Sequence, residues 1–155
     1  MAEEIGASVE VGLAEGTDRE WCAQLMATNE PWLTLRIGVE QTRASVARQG
    51  MELFLARNGM DRLGFVLVDP SGLAGAPYVK AIAVAPGARR KGIASLLLRF
   101  AEEHFAARRH LFLCVSDFNV RAQQLYRQTG YELIAELKDH VVEGHSELLL
   151  HKRIS

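Results

Sequence analysis

The chain has little cysteine. Its 155 residues hold two, Cys22 and Cys114, with no CxxC pair and no Cys/His spacing suited to zinc. A disulfide scaffold is excluded, no metal is expected, and both thiols read as buried apolar side chains. An excess of one charge is also missing. Eighteen Lys and Arg face nineteen Asp and Glu, for a net charge of −1. That balance gives no global attraction to nucleic acid or anionic membrane, so any anion site must be local. No apolar run approaches about 20 residues, so no spanning helix is expected. The opening MAEEIGASVE carries acids where a leader peptide carries bases, and no apolar run follows it. A cytoplasmic protein is the expectation. Repeats, low-complexity tracts and linker-like stretches are absent, so residues 1–155 read as a single domain. With 48% apolar and 24% charged residues, the composition is that of a globular chain long enough to bury a core.

Periodicity supplies the elements. Residues 8–14 alternate, with Val9, Val11 and Leu13 on one face, and predict a strand. Thr17 or Asp18 can cap a helix that turns Trp21, Cys22 and Leu25 inward and ends at Asn29-Glu30-Pro31. A second helix is predicted over 39–49, closed by Gly50. Residues 52–56 and 63–68 read as a hairpin across Asn58-Gly59. Residues 69–77, rich in Gly and Pro, read as a loop before a strand over 78–84 that Pro86 stops. A long helix follows from Lys91 or Gly92 to about Ala107, with Ile93, Leu96, Leu97, Phe100 and His104 on one face. Residues 110–115 are a nearly continuous apolar strand. A short helix over 120–129 ends at Gly130, and strands over 131–137 and 146–151 close the chain. The order is βααβββαβαββ. This is an α/β (α+β) chain with one mixed, largely antiparallel, twisted sheet of about seven strands and helices on both faces.

The long helix lacks something too. No Ser, Thr, Asp or Asn precedes it to cap its free N–H groups. Three cations stand there instead, Arg89, Arg90 and Lys91. A helix N-terminus carries a partial positive charge, so each cation there is unfavourable by about 0.3–1 kcal/mol unless an anion joins them. A phosphate would take the free N–H groups and meet the cations. Gly87 eases the turn, Gly92 lets the backbone approach, and Ala94 keeps the next turn low. Gly87 and Gly92 have P-loop spacing, but Ile93-Ala94 stand where Lys and Ser/Thr are required. No GxGxxG is present, and no second basic cluster supports nucleic acid.

Arg89-Arg90-Lys91-Gly92-Ile93-Ala94 resembles the R/Q-x-x-G-x-G/A motif of the GNAT superfamily, the GCN5-related N-acetyltransferases. The preceding Val-Ala-Pro and the downstream Asn119-x-x-Ala122-x-x-Leu125-Tyr126-x-x-x-Gly130-Tyr131 are similar to that family as well. Ala94 stands where many members have glycine. The resemblance implies acetyl-CoA as donor. Its pyrophosphate would lie on Arg89, Arg90, Lys91, Gly92, Ile93 and Ala94, and its pantetheine arm along Ile82, Ala83 and Val84. A backbone N–H at Ile82 or its neighbour would polarise the thioester carbonyl. The resemblance further implies Asn119 as a pantetheine contact and Tyr126 as general acid to the departing thiolate.

The acceptor is a primary amine by the same resemblance, on a small molecule or a protein N-terminus, attacking directly in a ternary complex. Candidates for the base or the acceptor side are Glu30, Ser116 (through water), Asp117, His140 and His145, with Trp32 as an apolar wall. Cys114 sits in an apolar strand that disfavours a covalent route. A non-catalytic acyl-CoA-binding module and a nucleic-acid-binding domain are the competing readings. No nucleic acid or membrane partner is expected, and a homodimer is left open.

Overall fold

The structure is a computed structural model that describes residues 8–155. Residues 1–7, on which the leader reading rests, lie outside the described residues. The elements run β1 (Glu10–Leu13), α1 (Asp18–Ala27), α2 (Val39–Ala47), β2 (Glu52–Asn58), β3 (Asp61–Leu73) and β4 (Ala76–Val84). They continue as α3 (Ile93–His104), β5 (His110–Ser116), α4 (Val120–Gln128), β6 (Glu132–Leu137) and β7 (Glu147–Arg153). The order is the one the sequence predicts. The seven strands form one sheet in the order β1-β2-β3-β4-β5-β7-β6. Every neighbouring pair is antiparallel except β4 and β5, which run parallel.

Two apolar layers sandwich the sheet. Alternation along β3 feeds both. Phe65 and Leu67 join Cys22, Met26, Leu53 and Leu55 beneath α1. Val66 and Val68 join Leu97, Leu98, Leu111, Leu113 and Tyr126 beneath α3 and α4. The predicted α3 face holds at Ile93 and Leu97, while Leu96 and Phe100 are half-buried. His104 reaches the edge of the layer, its Nε2 lying 3.1 Å from Glu52 Oε1. α1 is pinned at its start by Asp18, which is 1% exposed. Its carboxylate accepts from Arg57, from Arg62 Nε at 2.9 Å and from the Glu15 N–H at 2.8 Å.

The expected loop over 69–77 is strand instead. β3 and β4 continue to a tight turn at Ala74 and Gly75, both at positive φ (51° and 80°), the hand that suits a two-residue hairpin. Pairing jumps from Asp69↔Tyr78 to Leu73↔Ala76. Pro70 and Pro77 fall in that irregular stretch, where the ladder does not call on the N–H groups they lack. α3 is also shorter than expected. It begins at Ile93 and ends at His104, and a separate 3-10 turn at Ala106–Arg108 follows.

One irregularity positions everything that follows. The β3–β4 register passes from Leu67↔Ala81 to Val68↔Val79, which leaves Lys80 as a bulge. β4 and β5 pair only at Tyr78↔Phe112 and Val79↔Leu113. Beyond the bulge the two strands part, and Ala81–Val84 keeps β3 on one side only.

Candidate active site

The parted strands open a cleft of about 630 Å³. Ile82, Ala83 and Val84 line it from β4, Arg89 to Ala94 from the turn and helix start, and Asn119 and Tyr126 from α4. Lys91 is the one residue of the predicted cradle that does not line it. Ser95 and Arg121 do, and neither was singled out from the sequence. Arg121 lies in the first turn of α4, two residues past Asn119, a spacing that could have drawn notice.

The cradle has the backbone shape an anion needs. Gly92 caps α3 at φ +79°, and Arg90 stands at φ +63°, so the chain alternates hand around Lys91. Such alternation aims successive N–H groups to one side. No side chain caps the helix among the described residues. A Cβ built at Gly92 meets no atom within 4 Å, so the space beside the backbone is open. The cleft volume lies in the range of cofactor sites. These features fit a coenzyme pyrophosphate. Gly87 sits in the 3-10 turn Pro86–Ala88. Arg89 is partly committed elsewhere. Its Nη2 donates to Asn29 Oδ1 at 2.9 Å and its Nε to the Val84 carbonyl at 3.3 Å, tying the cradle to the loop after α1.

A second cavity of about 220 Å³ adjoins the first. The two share Pro31, Trp32, Ile82, Asn119 and Tyr126. Tyr126 is 5% exposed, and burial raises its pKa above that of an ordinary phenol. Among the described residues its hydroxyl has no hydrogen-bond partner. Asn119 accepts from the Ala122 N–H at 3.3 Å as the α4 cap, which leaves its amide N–H groups free.

The second cavity holds a carboxylate that the sequence reading passed over. Glu147 opens β7 and pairs with Ser116 in the β5–β7 register. It is 8% exposed and accepts from Ser116 Oγ at 2.6 Å. Burial raises its pKa, opposed by the Ser116 hydrogen bond and the nearby charge of His140. The only available signal was an acid heading a strand of leucines, Glu147 to Leu150.

The predicted acceptor residues divide. Ser116 and His140 line the second cavity, as does Trp32. Glu30 lines the first, larger cleft instead. Its carboxylate accepts from Thr34, N–H at 2.8 Å and hydroxyl at 2.6 Å, and the hydroxyl chiefly holds its pKa low. Asp117 accepts from the Ser146 N–H at 2.8 Å, which lowers its pKa, and lies 3.0 Å from His145 Nδ1. That pair braces the loop before β7 and lines neither cavity. Cys114 lines the second cavity with its pKa raised by burial. No group of three potential metal ligands occurs among the described residues. No described helix is long and apolar enough to cross a membrane.

The sequence profile of the acetyltransferase (GNAT) family matches residues 17–131. No curated protein matches the chain. Solved structures do. A protein from Desulfovibrio desulfuricans described as a GNAT-family acetyltransferase superposes with a TM-score of 0.79, at 18% identity, over 95% of this chain and 99% of that one. The ribosomal-protein-S18-alanine N-acetyltransferase of Escherichia coli gives 0.75 at 17% identity, over 95% of this chain and 94% of that one. An aminoglycoside 6'-N-acetyltransferase complexed with coenzyme A gives 0.75 at 13% identity, over 94% of this chain and 97% of that one.

Proposed function

The chain belongs to the acetyltransferase (GNAT) family, and from that premise we propose that it is an acetyl-CoA-dependent enzyme acetylating a primary amine by direct attack. The observation that carries this reading is the meeting of two cavities at Tyr126, one with an uncapped helix start, the other with a buried carboxylate.

Bound acetyl-CoA supplies the acetyl group as an activated thioester. The backbone from Arg90 to Ala94 holds its pyrophosphate, aided by Arg89 and Arg121. The free side of Ile82 to Val84 receives the pantetheine arm, and Asn119 contacts it with its uncommitted amide. A backbone N–H at Ile82 or its neighbour polarises the carbonyl. Glu147 takes the proton from the acceptor amine, since its raised pKa makes it a better base than an ordinary carboxylate. Tyr126 faces the departing sulfur. A thiol has a pKa of about 8.5, below that of a buried phenol, so Tyr126 keeps its proton and stabilises the thiolate by a hydrogen bond. The acceptor nitrogen exchanges two protons for the acetyl carbon as the C–S bond breaks. Starting from the ammonium, the first goes to Glu147 and on to solvent, and the second passes from the attacking nitrogen to the departing sulfur, so that CoA leaves as the thiol.

Ser116 holds Glu147, and His140 stands at the rim with a charge that favours the ionised carboxylate. Cys114, with its raised pKa, stays a spectator to direct attack. We read residues 1–155 as one domain. We also read the enzyme as cytoplasmic, with two free cysteines, Cys22 on α1 and Cys114 on β5. Its charge balance offers nothing to nucleic acid or membrane.

A thiol-release assay across amines and peptide N-termini tests the reading. Acetyl transfer with stoichiometric thiol release is expected. Tight coenzyme binding with no turnover on any amine would make the protein a non-catalytic acyl-CoA-binding module.

A further inference from the structure

The acceptor cavity is lined by one carboxylate, one lysine and one histidine, Glu147, Lys80 and His140. Glu147 is its only acidic lining residue, and it is buried beside Ser116. Lys80 lines the same cavity from the β4 bulge and is exposed. Among the described residues Lys80 makes no hydrogen bond and no ion pair, with Glu147 or any other carboxylate. Its charge reaches Cys114 on β5. Cys114 precedes Ser116 by two positions, about 6–7 Å along a strand. The cation and the carboxylate are therefore set apart along one wall of the cavity. The α1–α2 region contributes mostly apolar lining, Met26, Trp32, Leu35 and Ile37, with Thr42 and Ser45 beside them.

Resting on the function proposed above, we infer that the acceptor is a free amino acid with an apolar side chain, or a molecule of that pattern. Its amine goes to Glu147 and Tyr126, its carboxylate to Lys80, and its side chain to the Trp32 wall. A polyamine or aminoglycoside would bring several positive charges to a cavity with one carboxylate and a lysine. A protein N-terminus would bring an amide where Lys80 offers a charge. At about 220 Å³ the cavity is also smaller than a typical drug-sized pocket, in keeping with a single amino acid.

The test compares matched acceptors in the thiol-release assay. L-phenylalanine and L-leucine are run against phenethylamine, L-phenylalaninamide, a Phe-Ala dipeptide and spermidine. The free amino acids are expected to exceed their carboxylate-lacking counterparts in kcat/KM by about 10- to 100-fold, the worth of a charge-assisted hydrogen bond. Lys80→Met removes that preference and leaves the KM for acetyl-CoA unchanged. Lys80→Arg retains it, and Lys80→Glu favours phenethylamine. Turnover of phenethylamine equal to that of L-phenylalanine, or a preference that survives Lys80→Met, overturns the inference while the acetyltransferase reading stands. If no amine is acetylated, that reading fails, and calorimetry on the CoA-loaded protein decides the site itself. Binding of L-phenylalanine that Lys80→Met abolishes supports the site, and the lack of any binding by the wild type overturns it.

Discussion

Ser116 Oγ donates to Glu147 Oε2 at 2.6 Å across directly paired positions of β5 and β7. The bond holds a buried carboxylate in one rotamer and satisfies one of its oxygens. It also favours the ionised form, while burial opposes it. In the proposed mechanism, removing this carboxylate removes the base. Glu147→Gln is expected to lower kcat by about 10²–10⁴, the usual contribution of a positioned base, with the KM for acetyl-CoA unchanged. The wild-type rate falls as pH drops through the raised Glu147 pKa, because only the carboxylate accepts a proton. Glu147→Gln loses that acid limb. Ser116→Ala removes a bond to the charged form, so its limb moves to higher pH. The pH profiles of kcat for the three proteins check this.

Tyr126 is tested by one oxygen. Its ring packs edge-on against Tyr131, with centroids 5.9 Å apart, so Tyr126→Phe keeps the packing. With no internal partner among the described residues, the lost hydroxyl orphans nothing in the fold. Thermal stability is expected to hold, and kcat to fall by about 10²–10³, as when one transition-state donor is removed. Undiminished turnover with normal coenzyme affinity would take Tyr126 out of the mechanism.

The two halves of the site differ in how far the chain order reveals them. The proposed coenzyme side lies in two short stretches of sequence. Arg89 to Ala94 is one turn and one helix start, and Asn119 caps the helix that carries Tyr126. Local pattern therefore suffices to propose it. The acceptor side is assembled from residues distant in sequence, such as Met26, Tyr78 and Glu147. Only the β5–β7 register brings Glu147 opposite Ser116, and periodicity does not specify register between strands. Glu30 shows the converse. It stood in the expected loop, but Thr34, four residues on, occupies both its oxygens. The Gly and Pro of residues 69–77 read as a loop because such residues break most ladders. Here an irregular register takes up both prolines.

The cradle makes its own prediction at Gly92. Its φ of +79° suits glycine, and a side chain there costs about 1–2 kcal/mol in backbone strain. A Cβ there would meet no atom within 4 Å and would enter the open space proposed for the phosphate. Gly92→Ala is therefore expected to weaken coenzyme binding more than it weakens the fold. Calorimetry should show the Kd for CoA raised by about tenfold or more, the worth of roughly 1.4 kcal/mol. Arg90→Ala should weaken binding less, and its effect should shrink in high salt, because Arg90 is exposed and screened.

Asp18 ties stability to pH far from the chemistry. Burial pushes its pKa up, but the hydrogen bond from Arg57, the Glu15 N–H, the charge of Arg57 and the Arg62 hydrogen bond together bring it below the ordinary value. Asp18 is thus ionised more readily in the folded chain than in the unfolded one. Its contribution is fully present above the unfolded pKa of about 3.9 and is lost as pH falls through the lowered folded value. Asp18→Asn leaves two guanidiniums facing a neutral amide at the start of α1. Breaking a buried pair in this way costs about 3–5 kcal/mol. Urea unfolding at pH 7 should show a loss of that order against the wild type, and the gap should narrow below pH of about 3.9 as the wild-type carboxylate protonates. A gap that stays constant with pH would assign the loss to packing at Asp18 and not to its charge.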